Sequence, residues 1–382
     1  MTLQVPFYRH DLKPSDAEKI AAVLASPILT SGQVGKAVEA QLAAFFGVRH
    51  AGLTNSWTNG AMAALLALDI GPGDEVIIPA MTFIASANVV ELVGAKPVFV
   101  DVEPDTLLMS LDRMREAITP RTKAVMPVHL YGQMLDMRRL NAILAQAGRS
   151  DIKTIEDSAH CFEGRYEDYG PGEQSDIAIF SFYATKNIAC GEGGAFVTNA
   201  GDLHEKLMQT RLHGMSAGAD DRYQKGTYRH WDMARLGTKA NLPDLLAALL
   251  PEQIATIRQR LPIRQALAER YEAAFADLPI RMATVRQQAR SARHVFPVHV
   301  RPPVRDEAIG VLNQAGVGVA VNFRSVPTLT YYKQKYGYQA NDFPVSYAWG
   351  EGEITLPMFP SMSAEEQGHV IKTVRDGVAG LC

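Results

Sequence analysis

Residues 58–102 read TNGAMAALLALDIGPGDEVIIPAMTFIASANVVELVGAKPVFVDV, and the order of their patterns decides the fold class. Thr58–Leu68 is rich in Ala and Leu, as a buried helix requires, and Gly71-Pro72-Gly73-Asp74 stops it and turns the chain. DEVIIPA (74–80) is a short β-branched run; IASANVVELVGA (84–95) returns to a helical pattern, and KPVFVDV (96–102) is a second strand. Sheet neighbours joined by a helix rather than a tight turn run parallel.

The alternation continues downstream. Helix SLDRMREAI (110–118) precedes strand TKAVMPVHL (122–130), and helix DMRRLNAILAQAG (136–148) precedes strand DIKTIED (151–157). After a loop rich in Gly and Tyr come the strands SDIAIFSF (175–182) and GAFVTN (194–199). The fold class is therefore α/β, with a mostly parallel central sheet flanked by helices. Ligands of such sheets bind beyond the carboxyl ends of the strands.

The pattern weakens after about residue 245. A long helical stretch over Pro251–Leu278 is expected to link two domains, and the remainder reads as α+β. Its elements are strand HVFPVHV (294–300), helix DEAIGVLNQAG (306–316), strand VGVAVNF (317–323) and a final helix SAEEQGHVIKTVRDGV (363–378). That helix opens on Ser363 with Glu366 three places on, a capping box. At 382 residues the chain exceeds a usual single core. A large domain over residues 1–250 and a smaller C-terminal domain over 251–382 are expected. No repeat or low-complexity segment interrupts them.

Hydrophobic residues at 47% and charged residues at 21% describe a globular protein. The net charge is −3 and the Lys and Arg residues are scattered, so neither a nucleic-acid face nor a membrane patch is expected. Cys161, Cys190 and Cys382 form no CxxC pair, which argues against a disulfide framework and a metal site. MTLQVPFYRHDLKPSD at the start lacks the pattern of a signal peptide, and no apolar run reaches membrane length. A cytoplasmic location is the expectation.

Three segments carry chemistry. In Ser181-Phe-Tyr-Ala-Thr-Lys-Asn-Ile-Ala-Cys-Gly-Glu-Gly-Gly194, Lys186 follows a strand end and precedes a Gly-rich turn. A desolvated lysine amine sheds its proton and can form a Schiff base; taken alone, a surface-loop lysine is the plainer reading. Asp157 closes a strand in IEDSAH, where a carboxylate either caps the next turn or meets a ligand cation; His160 follows by three. Thr54–Gly60 (TNSWTNG) is a polar turn opening a helix, whose amides and hydroxyls suit a phosphate. Neither a GxGxxG fingerprint nor a P-loop is present.

Taken in order, PFYRHDL (6–12), LTSGQVGKAVEAQLAAFFGV (29–48), DEVIIPAMTFIASANVV (74–90), PVFVDVEPDT (97–106), AVMPVHLYG (124–132), IEDSAH (155–160), IFSFYATKNIACGEGGAFVTN (179–199), GTKANLPDLLAAL (237–249) and ITLPMFPSMSAEE (354–366) resemble the DegT/DnrJ/EryC1/StrS family of sugar aminotransferases. The resemblance covers nearly the whole chain and implies fold type I of the pyridoxal-phosphate (PLP) enzymes. It implies that Lys186 is the Schiff-base lysine, Asp157 the partner of the pyridine nitrogen and Ser181 a phosphate-binding serine. Trp57 and Thr58 would bind phosphate through turn amides and a hydroxyl. Phe83 takes the place of an aromatic that stacks on the ring, with His160, a further catalytic candidate, beside it. Lys239 and Asn241 would reach the phosphate site from the neighbouring subunit of a homodimer. Asn322, Phe323, Arg324 and His294 fall on the substrate side.

Within the family, segments 178–194, 237–245 and 321–338 look most like UDP-4-keto-pentose aminotransferases that make 4-amino-4-deoxy-arabinose. Asn322-Phe323 departs from the His-Phe or His-Tyr of those relatives, Pro327 from a second His, and the bulky Trp57 from a small residue. The implied reaction moves an amino group from L-glutamate to a keto sugar nucleotide, most simply a UDP-linked 4-keto sugar, with pyridoxamine phosphate as the intermediate form. A sugar 3-dehydratase on the same fold would carry His in place of Lys186. A non-catalytic PLP-binding regulator would not need Lys186, Asp157 and Ser181 together.

Overall fold

The computed structural model describes residues 3–216 and 230–381; Cys382 lies outside them. Twelve strands are present among these: β1 His50–Thr54, β2 Glu75–Pro79, β3 Lys96–Val100, β4 Thr122–Val125, β5 Lys153–Asp157, β6 Arg165–Tyr166, β7 Ile177–Ser181, β8 Gly194–Thr198, β9 Arg281–Met282, β10 Ala289–Arg290, β11 Phe296–His299 and β12 Glu353–Leu356. Seven form one sheet in the order β1-β8-β7-β5-β4-β2-β3. Only β8 runs against its neighbours; the other pairings are parallel, as expected where a helix separates the strands, and β5 and β7 are parallel although only a loop with the short β6 joins them.

Strand β2 shows why the sheet lies inside. All five of its residues are buried, and its side chains alternate between two separate apolar clusters. Val76 and Ile78 join one with Ala61, Ala64 and Val89, while Ile77 joins the other with Leu140 and Met137. A two-residue period with both faces covered is the expected behaviour of a central parallel strand. The helices Trp57–Ala67 and Ile84–Leu92 are built largely of small residues, which lets them lie close on one face. A third cluster, with Phe46 stacked 4.4 Å from Phe180, closes the β1–β8 end.

The long helix Pro251–Phe275 runs through Pro262 and leads to the antiparallel sheet β12-β11-β9. Its cluster contains Tyr271, Phe275, Phe296 and Ile354, together with Val5, which bridges to Val317. The final helix, Ala364–Thr373, has the expected capping box between Ser363 and Glu366 and passes into a π turn over Val374–Val378.

One expectation fails. Residues 317–323 form no regular strand, only isolated bridges from Val317 to Val5 and from Ala320 to Thr355. The backbone of Asn322 bonds side chains instead: its N–H donates to Glu353 at 2.6 Å and its carbonyl accepts from the Tyr131 hydroxyl. Among the described residues no helix is long and apolar enough to cross a membrane.

Candidate active site

The carboxyl ends of β1, β5 and β7 open on a cavity of about 520 Å³. Lys186, Asp157, His160, Ser181, Trp57, Thr58, Phe83, Asn322, Phe323 and His294 all line it. These ten positions, scattered along the sequence from Trp57 to Phe323, meet because strand ends and helix starts converge here.

Lys186 sits in a loop tied down on both sides. Phe182 donates to the Gly193 carbonyl at 2.8 Å and Cys190 N–H returns to Phe182 at 3.0 Å, which closes the loop's neck. Gln253, on the long helix, clamps Ala189 by accepting its N–H at 3.0 Å and donating to its carbonyl at 2.8 Å. Asn187, the next residue after the lysine, donates to Glu163 at 3.1 Å and to the Ala292 carbonyl at 3.0 Å, and its amide oxygen meets His294 Nδ1 at 3.1 Å. Glu163 is ion-paired with the buried Arg264 of the long helix. Burial pushes the Lys186 amine down to about 8, against the opposing pull of Asp157. A neutral fraction of about one tenth is thus available at pH 7, far more than an ordinary lysine offers.

On β5 the two-residue alternation separates neighbouring carboxylates. Glu156 turns away to His129 Nε2 at 2.5 Å and to Gly172 N–H at 2.9 Å, both deep in the core. Asp157 turns to the cavity, where it accepts from Ser86 Oγ at 2.8 Å and from Ala159 N–H at 3.1 Å. Burial nevertheless raises its pKa above the ordinary value, with the two donated bonds working against the rise. The carboxylate therefore has room for a cationic partner beyond those the chain supplies.

The helix Trp57–Ala67 starts at the cavity. Ser56 Oγ accepts Asn59 N–H at 3.1 Å, and the first intrahelical bond comes from Gly60 N–H to the Ser56 carbonyl. The N–H groups of Trp57 and Thr58 precede that bond and are left for an anion. A Cβ on Gly194 would fall 2.7 Å from the Ser56 carbonyl carbon and 2.8 Å from Trp57 N. Glycine here lets β8 lie directly against this turn. Ser181 Oγ, at the end of β7, accepts Tyr183 N–H at 3.3 Å.

His160 lies between Phe323, stacked at 5.7 Å, and His294 at 4.4 Å, and its Nδ1 faces Tyr131 N–H at 3.4 Å. Burial, with Lys186 nearby, lowers the His160 pKa well below the usual range; burial does the same for His294. Both rings are neutral, so their contribution is shape and hydrogen bonding rather than charge. Phe83 is 54% exposed and lies 5.6 Å from Phe323.

Three expected residues are not among those lining the cavity. Arg324 is exposed and meets Glu351 at 3.3 Å. The Lys239 carbonyl accepts from Asn55, and Asn241 donates to Ser31 at 2.8 Å. Conversely, the sequence reading missed Ser86, Phe7, Tyr8, Tyr183 and Glu192, all of which line the cavity. A buried serine in the apolar helix Ile84–Leu92 was the available signal for Ser86. Among the described residues no three His, Cys, Asp or Glu side chains are grouped to hold a metal.

The sequence pattern of the DegT/DnrJ/EryC1/StrS aminotransferase family matches residues 10–375. The chain is 37% identical over 371 residues to the spore coat polysaccharide biosynthesis protein SpsC of Bacillus subtilis (strain 168), covering 96% of this chain and 95% of that protein. It superposes with a TM-score of 0.90 on the PMP form of Spr1654, a candidate sugar aminotransferase of Streptococcus pneumoniae, at 31% identity over 97% of this chain and 98% of that one. S. venezuelae DesV in complex with a ketimine intermediate gives a TM-score of 0.89 at 31% identity, covering 98% of each chain.

Proposed function

The chain belongs to the DegT/DnrJ/EryC1/StrS aminotransferase family and is a PLP-dependent sugar aminotransferase of fold type I; from that premise we propose that it moves an amino group from L-glutamate to the keto carbon of a sugar nucleotide, a 4-keto sugar carried on UDP. The observation that carries this reading is the meeting of three groups at one cavity: a lysine amine held near pKa 8, a buried carboxylate and a free helix start.

The residues present fit the cofactor. Lys186 Nζ would hold it, and the Trp57 and Thr58 N–H groups with Ser181 Oγ would bind its phosphate. Asp157, short of a cation in its buried setting, would face the ring nitrogen. When bound, PLP supplies an electron sink for the carbon that loses its proton. Lys186 Nζ, neutral and confined by the Asn187 and Ala189 anchors, takes that proton and later returns it. Phe83 and His160 would flank the cofactor, and His160, made a weak base by burial, would not compete with Lys186 for the proton.

Asn322, Phe323 and His294 form the sugar side; Arg324 follows Phe323 in sequence but pairs with Glu351 outside the cavity lining. The choice of a UDP-linked 4-keto sugar rests on the likeness of segments 178–194, 237–245 and 321–338 to enzymes acting on such pentoses. Lys239 and Asn241 serve the phosphate site of a second subunit in a homodimer; their place outside this chain's own cavity supports that reading, as do the exposed side chains of Met233 and Leu236 close by in sequence. The free thiols Cys161 and Cys190 suit a reducing compartment, and the reaction is placed in the cytoplasm.

Running purified protein backward with 2-oxoglutarate and a panel of amino sugar nucleotides tests the whole. Glutamate formed from a UDP-linked 4-amino sugar supports the reading. Glutamate formed from none of the panel sinks it.

A further inference from the structure

Asn322 lines the cavity, and a buried chain of hydrogen bonds holds it from behind. Glu353, the first residue of β12, has no exposed surface. Its Oε2 accepts the Asn322 backbone N–H at 2.6 Å, and its Oε1 accepts the hydroxyl proton of Thr355. Thr355 lies two residues along the strand, on the same face and equally buried. Its Oγ1 is 3.2 Å from Asn322 Nδ2.

A threonine hydroxyl has one proton. With Glu353 ionised and accepting that proton in a hydrogen bond, Thr355 Oγ1 can only accept from Asn322. The amide must then turn its NH₂ towards Thr355, because two buried acceptors facing each other are strongly disfavoured. Asn322 Oδ1 is left on the other side of the amide, and among the described residues it has no hydrogen-bond partner.

Resting on the reading that a keto sugar enters this cavity, we propose that the carboxylate form of Glu353, through Thr355, fixes the polarity of Asn322, so that the site presents an amide oxygen and selects a sugar with a free ring hydroxyl to donate to it. Glu353 is a positioning residue: it acts only through Thr355 and Asn322. The titratable groups facing it are Tyr131, Arg305 and its cross-strand neighbour His299.

The relay makes opposite demands on its variants. In Glu353→Gln, the amide oxygen must take the Oε2 position to accept Asn322 N–H, which leaves NH₂ against Thr355 Oγ1. The Thr355 proton then turns to Asn322, whose own NH₂ faces the cavity. Adding Asn322→Asp repairs this, since one carboxylate oxygen takes the Thr355 proton and the other is free for substrate. Asn322→Asp alone sets two carboxylates around one hydroxyl proton.

The test uses the holoenzyme near pH 9, above the value of about 8 to which burial pushes Glu353. Probes are a UDP-linked 4-amino-4-deoxy-pentose and its singly deoxygenated analogues, each with 2-oxoglutarate. In the wild type, removing one ring hydroxyl raises KM about tenfold. Glu353→Gln and Thr355→Val lose that discrimination to within about twofold, while the spectral change driven by glutamate alone keeps its rate to within about twofold. Glu353→Gln/Asn322→Asp regains the discrimination, and Asn322→Asp alone does not. Discrimination retained in Glu353→Gln, or no rescue in the double variant, overturns the relay. Should the wild type turn over no member of the panel, the proposed activity fails, and the Asn322 side-chain amide resonance still decides the relay. Glu353→Gln is expected to move that resonance, and an unmoved one refutes the relay.

Discussion

Ser86 donates its hydroxyl proton to Asp157 at 2.8 Å, tying the helix Ile84–Leu92 to the carboxyl end of β5. That bond favours the ionised carboxylate against a burial that raises its pKa. Ser86→Ala should push Asp157 higher still. An activity that needs the carboxylate is lost as pH falls through its folded value, so the acid limb of the glutamate half-reaction is expected to move to higher pH. A pH profile with an unmoved acid limb would remove Asp157 from the proposed role.

Lys186 makes the cofactor-free protein pH-sensitive. Its amine falls from 10.5 to about 8 on folding, so between those values the unfolded chain holds a proton that the folded chain has released. Stability of the apoprotein therefore rises with pH across that window, by up to about 3 kcal/mol. Lys186→Met lacks this contribution and also lacks transaminase activity. Urea unfolding of both apoproteins at either end of the window checks it; parallel pH dependence in the two would contradict the burial of the amine.

Gly194→Ala adds a methyl group 2.7–2.8 Å from the Ser56–Trp57 peptide. The first turn of the helix must move, at a cost of about 1–3 kcal/mol. PLP affinity, followed by absorbance during titration of the apoprotein, is expected to fall about tenfold or more. Unchanged affinity would mean that the turn does not bind the phosphate.

Shared sites predict complementation. Lys186→Ala and Lys239→Ala are each expected to impair the homodimer. Mixed after subunit exchange, they form heterodimers in which one site carries both defects and the other carries neither. About a quarter of wild-type activity should return when the two are mixed equally. Activity that stays at the level of the separate variants would place both residues in one subunit's site.

The sheet was legible because its central strands are buried on both faces and its helices are built from small apolar residues, patterns that need only neighbouring sequence. Residues 317–323 misled because VGVAVNF has strand composition while the backbone of Asn322 bonds Glu353 and Tyr131, 31 and 191 positions away. Lys186, Asp157 and the Thr54–Gly60 turn stood out by their places at strand ends and a helix start. Ser86 did not, since a lone serine in a helix reads as a small filler. Phe7 and Tyr8 reach the cavity only through tertiary packing, which no local pattern encodes.

The helix Pro251–Phe275 grips the lysine loop at one end through Gln253 and enters the core of the antiparallel sheet at the other through Tyr271 and Phe275. Its 25 residues make a rod about 37 Å long. As a lever pivoted at the far end, it converts a tilt of only about two degrees into a displacement of about 1 Å at the loop. The attitude of the smaller sheet is thereby coupled, through one helix, to the loop that carries Lys186.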